Sequence, residues 1–251
     1  MYNDDELKLI DPAAELDDPL EQIPPVNETS EESQCDPEAL LQMLDAPEAQ
    51  QRMLAARAFC ELEEPRAVQR LIELLQDSCP LVRVSAAYAL GRNYSDAAIT
   101  PLIEQLRDWN GYVRKGVVWA LGNSQNPVAL PPLIDTLKTD IPAVRLWAAS
   151  ALAQMGSSSY EAVVAAIPPV IEVMRHDAIA AIRSNCAWAL GQLCRELPSN
   201  VIYATAIDAL IETFAEDDDL GVREDARAAI LKVGDPRGLQ IIEELEQDGW
   251  F

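Results

Sequence analysis

The chain has 251 residues, 49% of them apolar, and carries 42 Asp and Glu against 19 Lys and Arg for a net charge of −23. That is enough apolar material for a sizeable core in one large domain or two small ones, and scarce Gly with plentiful Ala and Leu favours helix. The acidity repels phosphates, so nucleic acid and anionic membrane are poor candidate partners, and no run of 18 apolar residues exists that would cross a bilayer.

Residues 1–36 hold twelve acidic residues and one Lys, with prolines at 12, 19, 24 and 25. This is the composition of a disordered acidic arm. Its opening, "MYNDDELKLI", has no basic n-region and so is not read as a secretory signal, which makes the cytosol the expected compartment. Two readings stand for its apolar clusters (Leu7, Leu9 and Ile10; Leu16, Leu20 and Ile23). The arm is solvated, or "LKLI" docks on a partner or back on the body.

A repeat begins near Pro37 and defines a second region, 37–251. Arg52, Arg83, Arg114, Arg145, Arg183 and Arg223 follow one another at spacings of 31, 31, 31, 38 and 40 residues. An apolar pair keeps step with them, from Leu40-Leu41 and Leu71-Ile72 to Leu210-Ile211 and Ile241-Ile242. Each unit reads as two helices. In "AVQRLIELLQD" the residues Val68, Leu71, Ile72 and Leu75 fall on one face. A polar turn follows, with Pro80 or Pro142 suited to the first turn of the next helix. The second helix is written "LVRVSAAYALGRN" in one unit and "YVRKGVVWALGNS" in the next. Its closing glycine (Gly91, Gly122, Gly191) is expected to serve as a left-handed cap, and Pro65, Pro101 and Pro127 to open the following unit.

One such hairpin cannot cover its own apolar face, so the units must stack into a superhelix. The expected fold is all-α: six antiparallel helix pairs and a lone seventh first helix, "PRGLQIIEELEQ", whose Glu243, Glu244 and Glu246 suit a terminal cap. Extra residues around Gly156–Tyr160 and Pro198–Tyr203 are expected to lengthen helices or loops and to alter the curvature there.

An Asp precedes the marker Arg by six residues in four units: Asp77 and Arg83, Asp108 and Arg114, Asp177 and Arg183, Asp217 and Arg223. In the fourth unit the pair is Asp140 and Arg145, one residue closer. A guanidinium fork there is expected to bridge its own Asp and that of the next unit, a structural ladder and not a set of catalytic acids.

This Asp/Val-Arg/Ala-Ala/Ala-Leu-Gly frame resembles HEAT repeats of the short variety found in phycobilisome lyases, over roughly residues 37–247. The resemblance implies a helical solenoid and, among the bilin lyases, attachment of linear tetrapyrroles to phycobiliprotein cysteines, often by two different subunits together. The stretches "QQRMLAARAFC", "DWNGYVRKGVVWALGN" and "SNVIYATAIDALIETFAEDDDLGVREDA" are in addition similar to a cyanobacterial HEAT protein that associates with an A-type iron–sulfur scaffold.

On a helical wheel with the marker Arg at zero, positions −1, +3, +6 and +7 form the core: Val82, Ala86, Ala89 and Leu90 in one unit, Val113, Val117, Ala120 and Leu121 in the next. Positions +5 and +1 point away from it. Position +5 reads Arg57, Tyr88, Trp119, Ser150, Trp188 and Ala228; position +1 includes Lys115; Trp147 at +2 borders the same face. In HEAT-like stacks this side lines the concave surface. Arg57, Tyr88, Lys115, Trp119, Trp147 and Trp188 are therefore the expected partner-binding residues, since aromatics and Arg are the usual anchors of an interface. The alternative is that tight curvature tucks the rings between adjacent second helices as packing.

Catalytic chemistry is thinly represented. His176 stands alone at an expected turn, and there is no Gly-rich phosphate loop, CxxC or HExxH. Of the cysteines, Cys186 falls at a core position, Cys194 lies two turns on, and Cys35, Cys60 and Cys79 are scattered, so neither a disulfide framework nor a cluster held by this chain alone is expected. The terminal Trp250 and Phe251 either cover the last helix or form a short docking tail. No catalytic residue, metal or resident cofactor is expected. The reading is a protein-binding scaffold whose partner is an A-type iron–sulfur scaffold or a phycobiliprotein or second lyase subunit. The rival is a bilin lyase, in which Tyr88, Trp119 and Trp188 stack on a tetrapyrrole and Arg57 and Lys115 meet its propionates.

Overall fold

A computed structural model describes residues 36–156 and 158–247. The expectations for Cys35, for the acidic arm up to that residue, and for Trp250 and Phe251 lie outside the described residues. Within them the sequence period becomes thirteen helices and no strand. The pairs are α1 (Pro37–Met43) with α2 (Ala49–Ala58), α3 (Val68–Leu74) with α4 (Pro80–Arg92), and α5 (Asp96–Gln105) with α6 (Gly111–Ser124). They continue as α7 (Leu130–Thr139) with α8 (Pro142–Met155), α9 (Tyr160–His176) with α10 (Ala180–Cys194), and α11 (Val201–Glu216) with α12 (Leu220–Val233). The lone α13 (Pro236–Gln247) ends the stack.

Local chemistry sets the helix starts. Pro37, Pro80 and Pro142 occupy first turns, where the missing N–H costs nothing. Asn110 accepts from the Tyr112 N–H at 2.9 Å, and Asp219 from the Gly221 N–H at 2.8 Å. Pro65 and Pro127 open short 3₁₀ turns ahead of α3 and α7. Pro101 does not open its unit; α5 starts earlier at Asp96, behind the Ser95 cap, and Pro101 lies inside it. The extra residues of units five and six go into the first helices, so α9 has 17 residues and α11 has 16, where α3 has 7.

The wheel positions named for the core are fully buried: Val82, Ala86, Val113, Val117 and Leu121 are each 0% exposed. Second helices pack on one another along the whole series α2, α4, α6, α8, α10 and α12, whereas successive first helices touch far less. The more closely packed layer is the inside of the curve, so the second helices line the concave face.

The closing glycines correct the cap expectation. Gly91, Gly122 and Gly191 sit inside helices that run on past them, and the only positive φ values among the described residues are at Gln125 (51°) and Gly234 (75°). Their role is close approach. A Cβ at Gly122 would stand 2.9 Å from Ala151 Cα, one at Gly191 2.9 Å from Ala229 Cβ, and one at Gly91 2.9 Å from Ala120 Cα. In each case the small residue met is the +6 alanine of the next unit. Gly at +8 against Ala at +6 is what lets adjacent second helices come together.

The Arg–Asp ladder exists with one change of register. Arg52 reaches Asp77 at 2.7 Å, Arg83 Asp108 at 2.6 Å, Arg114 Asp140 at 2.6 Å, Arg145 Asp177 at 3.0 Å and Arg183 Asp217 at 2.7 Å. The carboxylate engaged is always that of the following unit. Toward its own turn the same guanidinium donates to a backbone carbonyl: Arg83 to Asp77 O at 2.8 Å, Arg114 to Asp108 O at 2.7 Å, Arg183 to Asp177 O at 2.9 Å. The Asp side chain is meanwhile held by a turn N–H, as Asp108 is by Asn110 at 2.8 Å. Arg223, in the last full unit, sends its Nε to Phe214 O at 2.9 Å.

Candidate functional site

The face that faces away from the paired first helices is built from positions +1, +5 and +9 of the second helices, with +2 at its edge. The structure brings the six expected residues onto this face, but not with equal exposure. Trp188 on α10 is exposed (42%), and Arg57, Tyr88, Trp119 and Trp147 are partly buried. Position +1 departs from the wheel: Met53, Val84 and Lys115 are buried.

For Lys115 the cause is a contact between units that recurs in the later part of the stack. Position +2 of the second helix in units four, five and six meets position +1 or +5 of the one before. The Lys115 ammonium lies 4.8 Å from the centre of the Trp147 ring, a cation–π contact that removes both from open solvent. One unit later Asn185 donates to Leu146 O at 2.5 Å and to Ser150 Oγ at 2.9 Å. In the next unit Ser184 Oγ donates to Asp225 at 2.6 Å. A wheel drawn for one helix cannot register this covering by a neighbour.

Tyr88 and Trp119 form a tilted pair, with ring centres 5.3 Å apart and planes at 54°. Trp119 also lies over Gly91, so that a Cβ there would be 2.5 Å from its Cζ3 atom. This indole therefore belongs partly to the stack. Trp188 stands further out. With the Gln192 amide turned to suit its neighbours, the amide oxygen accepts from Trp188 Nε1 at 3.3 Å and from Lys232 Nζ at 2.7 Å.

The most exposed aromatic of the described residues escaped the sequence reading. Trp109, 76% exposed, lies in the turn between α5 and α6, with the Arg83 guanidinium 5.7 Å from its ring centre. Its signal was an aromatic inside an otherwise polar "RDWNG" turn. Tyr112, two residues before Arg114, is likewise partly exposed on the second-helix side.

Three of the thiols are kept from reacting as thiolates. Burial pushes Cys60, Cys186 and Cys194 up to about 12, and Cys60 Sγ rests against Ala56 O and Ser85 O at 3.8 and 3.9 Å. His176 is exposed at the end of α9, its Nδ1 2.9 Å from Glu172 O. Among the described residues no three His, Cys, Asp or Glu side chains gather as a metal site, and no helix is long and apolar enough to cross a membrane. Open hollows of about 530 and 400 Å³, the second beside His176 and Ile171 between α9 and α11, lie off the aromatic row.

A family model described as HEAT repeats matches residues 37–108 and 99–191. No curated protein matches the chain. Among solved structures, an engineered protein is 26% identical over 79% of this chain and 98% of its own, with a TM-score of 0.56. A designed armadillo repeat protein in complex with the peptide (KR)4 is 22% identical over 78% and 98%, with a TM-score of 0.59. The complex of CpcE and CpcF of phycocyanin lyase from Nostoc sp. PCC7120 is 24% identical over 87% of this chain and 85% of its own, with a TM-score of 0.58.

Proposed function

Because this chain belongs to the HEAT-repeat family, we propose that it is a non-catalytic scaffold that binds another protein along the concave face of its second helices. The observation that carries this reading is the row of large side chains at one repeated position, Tyr88, Trp119 and Trp188. It includes an indole 42% exposed on a face otherwise given to packing. Exposed aromatics of this kind are the usual anchors of protein interfaces. The armadillo neighbour is a peptide-bound protein and the CpcE–CpcF neighbour is a complex of two chains, which accords with a binding role. The partners proposed from the sequence resemblance are an A-type iron–sulfur scaffold or, in phycobilisome assembly, a phycobiliprotein or second lyase subunit.

Calorimetric titration with purified candidates of each kind tests the proposal. Saturable binding that weakens at least ten-fold in Trp188→Ala, with helicity unchanged, is the expected result. Equal affinity of that variant for a candidate that does bind would move the site elsewhere. The rival reading, a bilin lyase, has its own assay: mix the chain with bilin and an apo-phycobiliprotein. Covalent fluorescence without any other lyase would overturn the non-catalytic reading.

A further inference from the structure

The Arg–Asp ladder has a sequence register that runs one unit beyond the last helix pair. In units four to six the Asp that meets the preceding Arg stands seven residues after the first member of the apolar pair: Leu133 and Asp140, Val170 and Asp177, Leu210 and Asp217. The lone α13 carries the pair Ile241-Ile242, and seven residues after Ile241 the sequence again has an Asp, Asp248. The Arg one unit before it is Arg223, buried at 9% exposure, with its Nε reaching back to Phe214 O at 2.9 Å.

The turns that carry these carboxylates are built alike. Each Asp accepts the N–H two residues on: Asp77 from Cys79 at 2.8 Å, Asp108 from Asn110 at 2.8 Å, Asp177 from Ile179 at 2.9 Å and Asp217 from Asp219 at 2.9 Å. Where that second residue is apolar, as at Cys79 and Ile179, it packs on the core. Two residues after Asp248 stands Trp250. Turn residues also lean back on the unit before: Ile141 Cδ1 lies 2.7 Å from where a Cβ of Gly111 would stand. The place in unit six that answers to Gly111 is Leu220, three residues before its Arg and 67% exposed. A further second helix does not suit this end of the stack. Position +8, held by the small residues Cys60, Gly91, Gly122, Ala153 and Gly191 in the first five units, is Leu231 in the sixth, 46% exposed.

We propose that the surface around Arg223 and Leu220 is a docking site for the chain's own residues 248–251, which lie beyond the described residues. Asp248 supplies the last carboxylate of the ladder to Arg223 and accepts the Trp250 N–H, and the Trp250 ring covers Leu220. A carboxylate is the fitting occupant because a buried guanidinium is costly without an ionic partner and binds one through charge-assisted hydrogen bonds. The indole takes the most exposed apolar side chain of this end out of water. Of the two readings of the tail, this one makes it a part of the stack and not a segment held out for a partner, independently of what the concave face binds.

Amide hydrogen exchange of the full chain, read residue by residue by NMR, tests this. The Trp250 N–H is expected to exchange about ten-fold or more slowly than in a free peptide of the same tail sequence. That protection should be lost in Asp248→Asn and kept in Glu243→Gln, which removes the same charge from an exposed site on α13. Denaturant unfolding adds the pairing itself. Asp248→Asn should lower the midpoint in the otherwise unchanged chain and should lower it no further in an Arg223→Met background. The exchange measurement decides by itself if Arg223→Met fails to fold, because it needs no change at the buried Arg. A Trp250 amide that exchanges as fast as in the free peptide, protection that survives Asp248→Asn, or equal losses in the two backgrounds overturns the proposal. None of these outcomes bears on binding at the concave face, which the Trp188 variant tests separately.

Discussion

Arg83 of the second unit and Asp108 of the third meet at 2.6 Å with side chains only 7% and 5% exposed, joining residues 25 apart in sequence. The same guanidinium holds the Asp77 carbonyl in the turn between the two helices of its own unit. Each such Arg thus fastens one turn to the next, and the chain carries this fastening as a register. Removing one partner strands the other charge. Arg83→Ala should destabilise by about 3–5 kcal/mol, and Arg83→Met with Asp108→Leu by much less, because a buried pair contributes little beyond what well-packed apolar residues would. Denaturant unfolding of the three proteins checks this, and equal losses in both variants would contradict it.

The glycine at +8 gives a prediction opposite in sign to helix propensity. Alanine in place of an interior helical glycine normally gains about 1 kcal/mol. At Gly122 the new Cβ would stand 2.8 Å from Ala151 Cβ and 2.9 Å from its Cα, so the two helices must part. Gly122→Ala should lose about 1–3 kcal/mol, as overpacked cores do. A raised Tm by circular dichroism would mean the close approach is not structural.

Much of this stack is legible from residues alone. Val82, Ala86, Ala89 and Leu90 declare the buried stripe of a second helix, and the recurring Arg and apolar pair fix the number of units. What single-helix reasoning misses is the neighbour. Gly91 reads as a cap until Trp119 and Ala120 of the next unit are in place against it. Lys115 reads as exposed until Trp147 covers it. Asp108 stands in the expected turn and meets one of its two expected partners, the Arg83 of the unit before; Arg114 of its own unit takes its backbone carbonyl instead of its carboxylate. Trp109 was overlooked because it stands in a turn, outside the helical period used to find the others.

The two indoles of the row should part company when truncated. Trp119 lies over Gly91 and beside Tyr88, so Trp119→Ala should lose about 2–4 kcal/mol, near the lower range for a buried aromatic. Trp188, 42% exposed, should lose under about 1 kcal/mol on the same change. Thermal unfolding of both variants separates a ring that builds the stack from one that is available to a partner. Equal large losses would make both of them packing residues.

Acid should loosen the ladder from its carboxylate side. The Arg183 hydrogen bond holds Asp217 below its usual value. At Asp77 burial pushes upward but is outweighed by hydrogen bonds from Arg52 and the Cys79 N–H and by the charges of Arg52 and Arg83, so its value is also lowered. A carboxyl lowered in the folded state contributes fully above its unfolded value of about 3.9, and the contribution is lost as pH falls through the folded value. Stability in moderate salt should therefore be nearly flat from pH 7 to 5 and drop below about pH 4, less so in Asp217→Asn. A main loss between pH 7 and 5 would assign it to other groups.

The central claim is that the repeated frame holds the stack together and the outward side chains of the second helices meet the partner. Site-specific photo-crosslinking in the native cell tests it most directly, with a photoreactive amino acid placed at Trp188 on the concave face and, separately, at Ala165, exposed on α9 of the outer layer. The account predicts a discrete protein adduct from position 188 that is absent from position 165. Adducts from position 165 alone would contradict it.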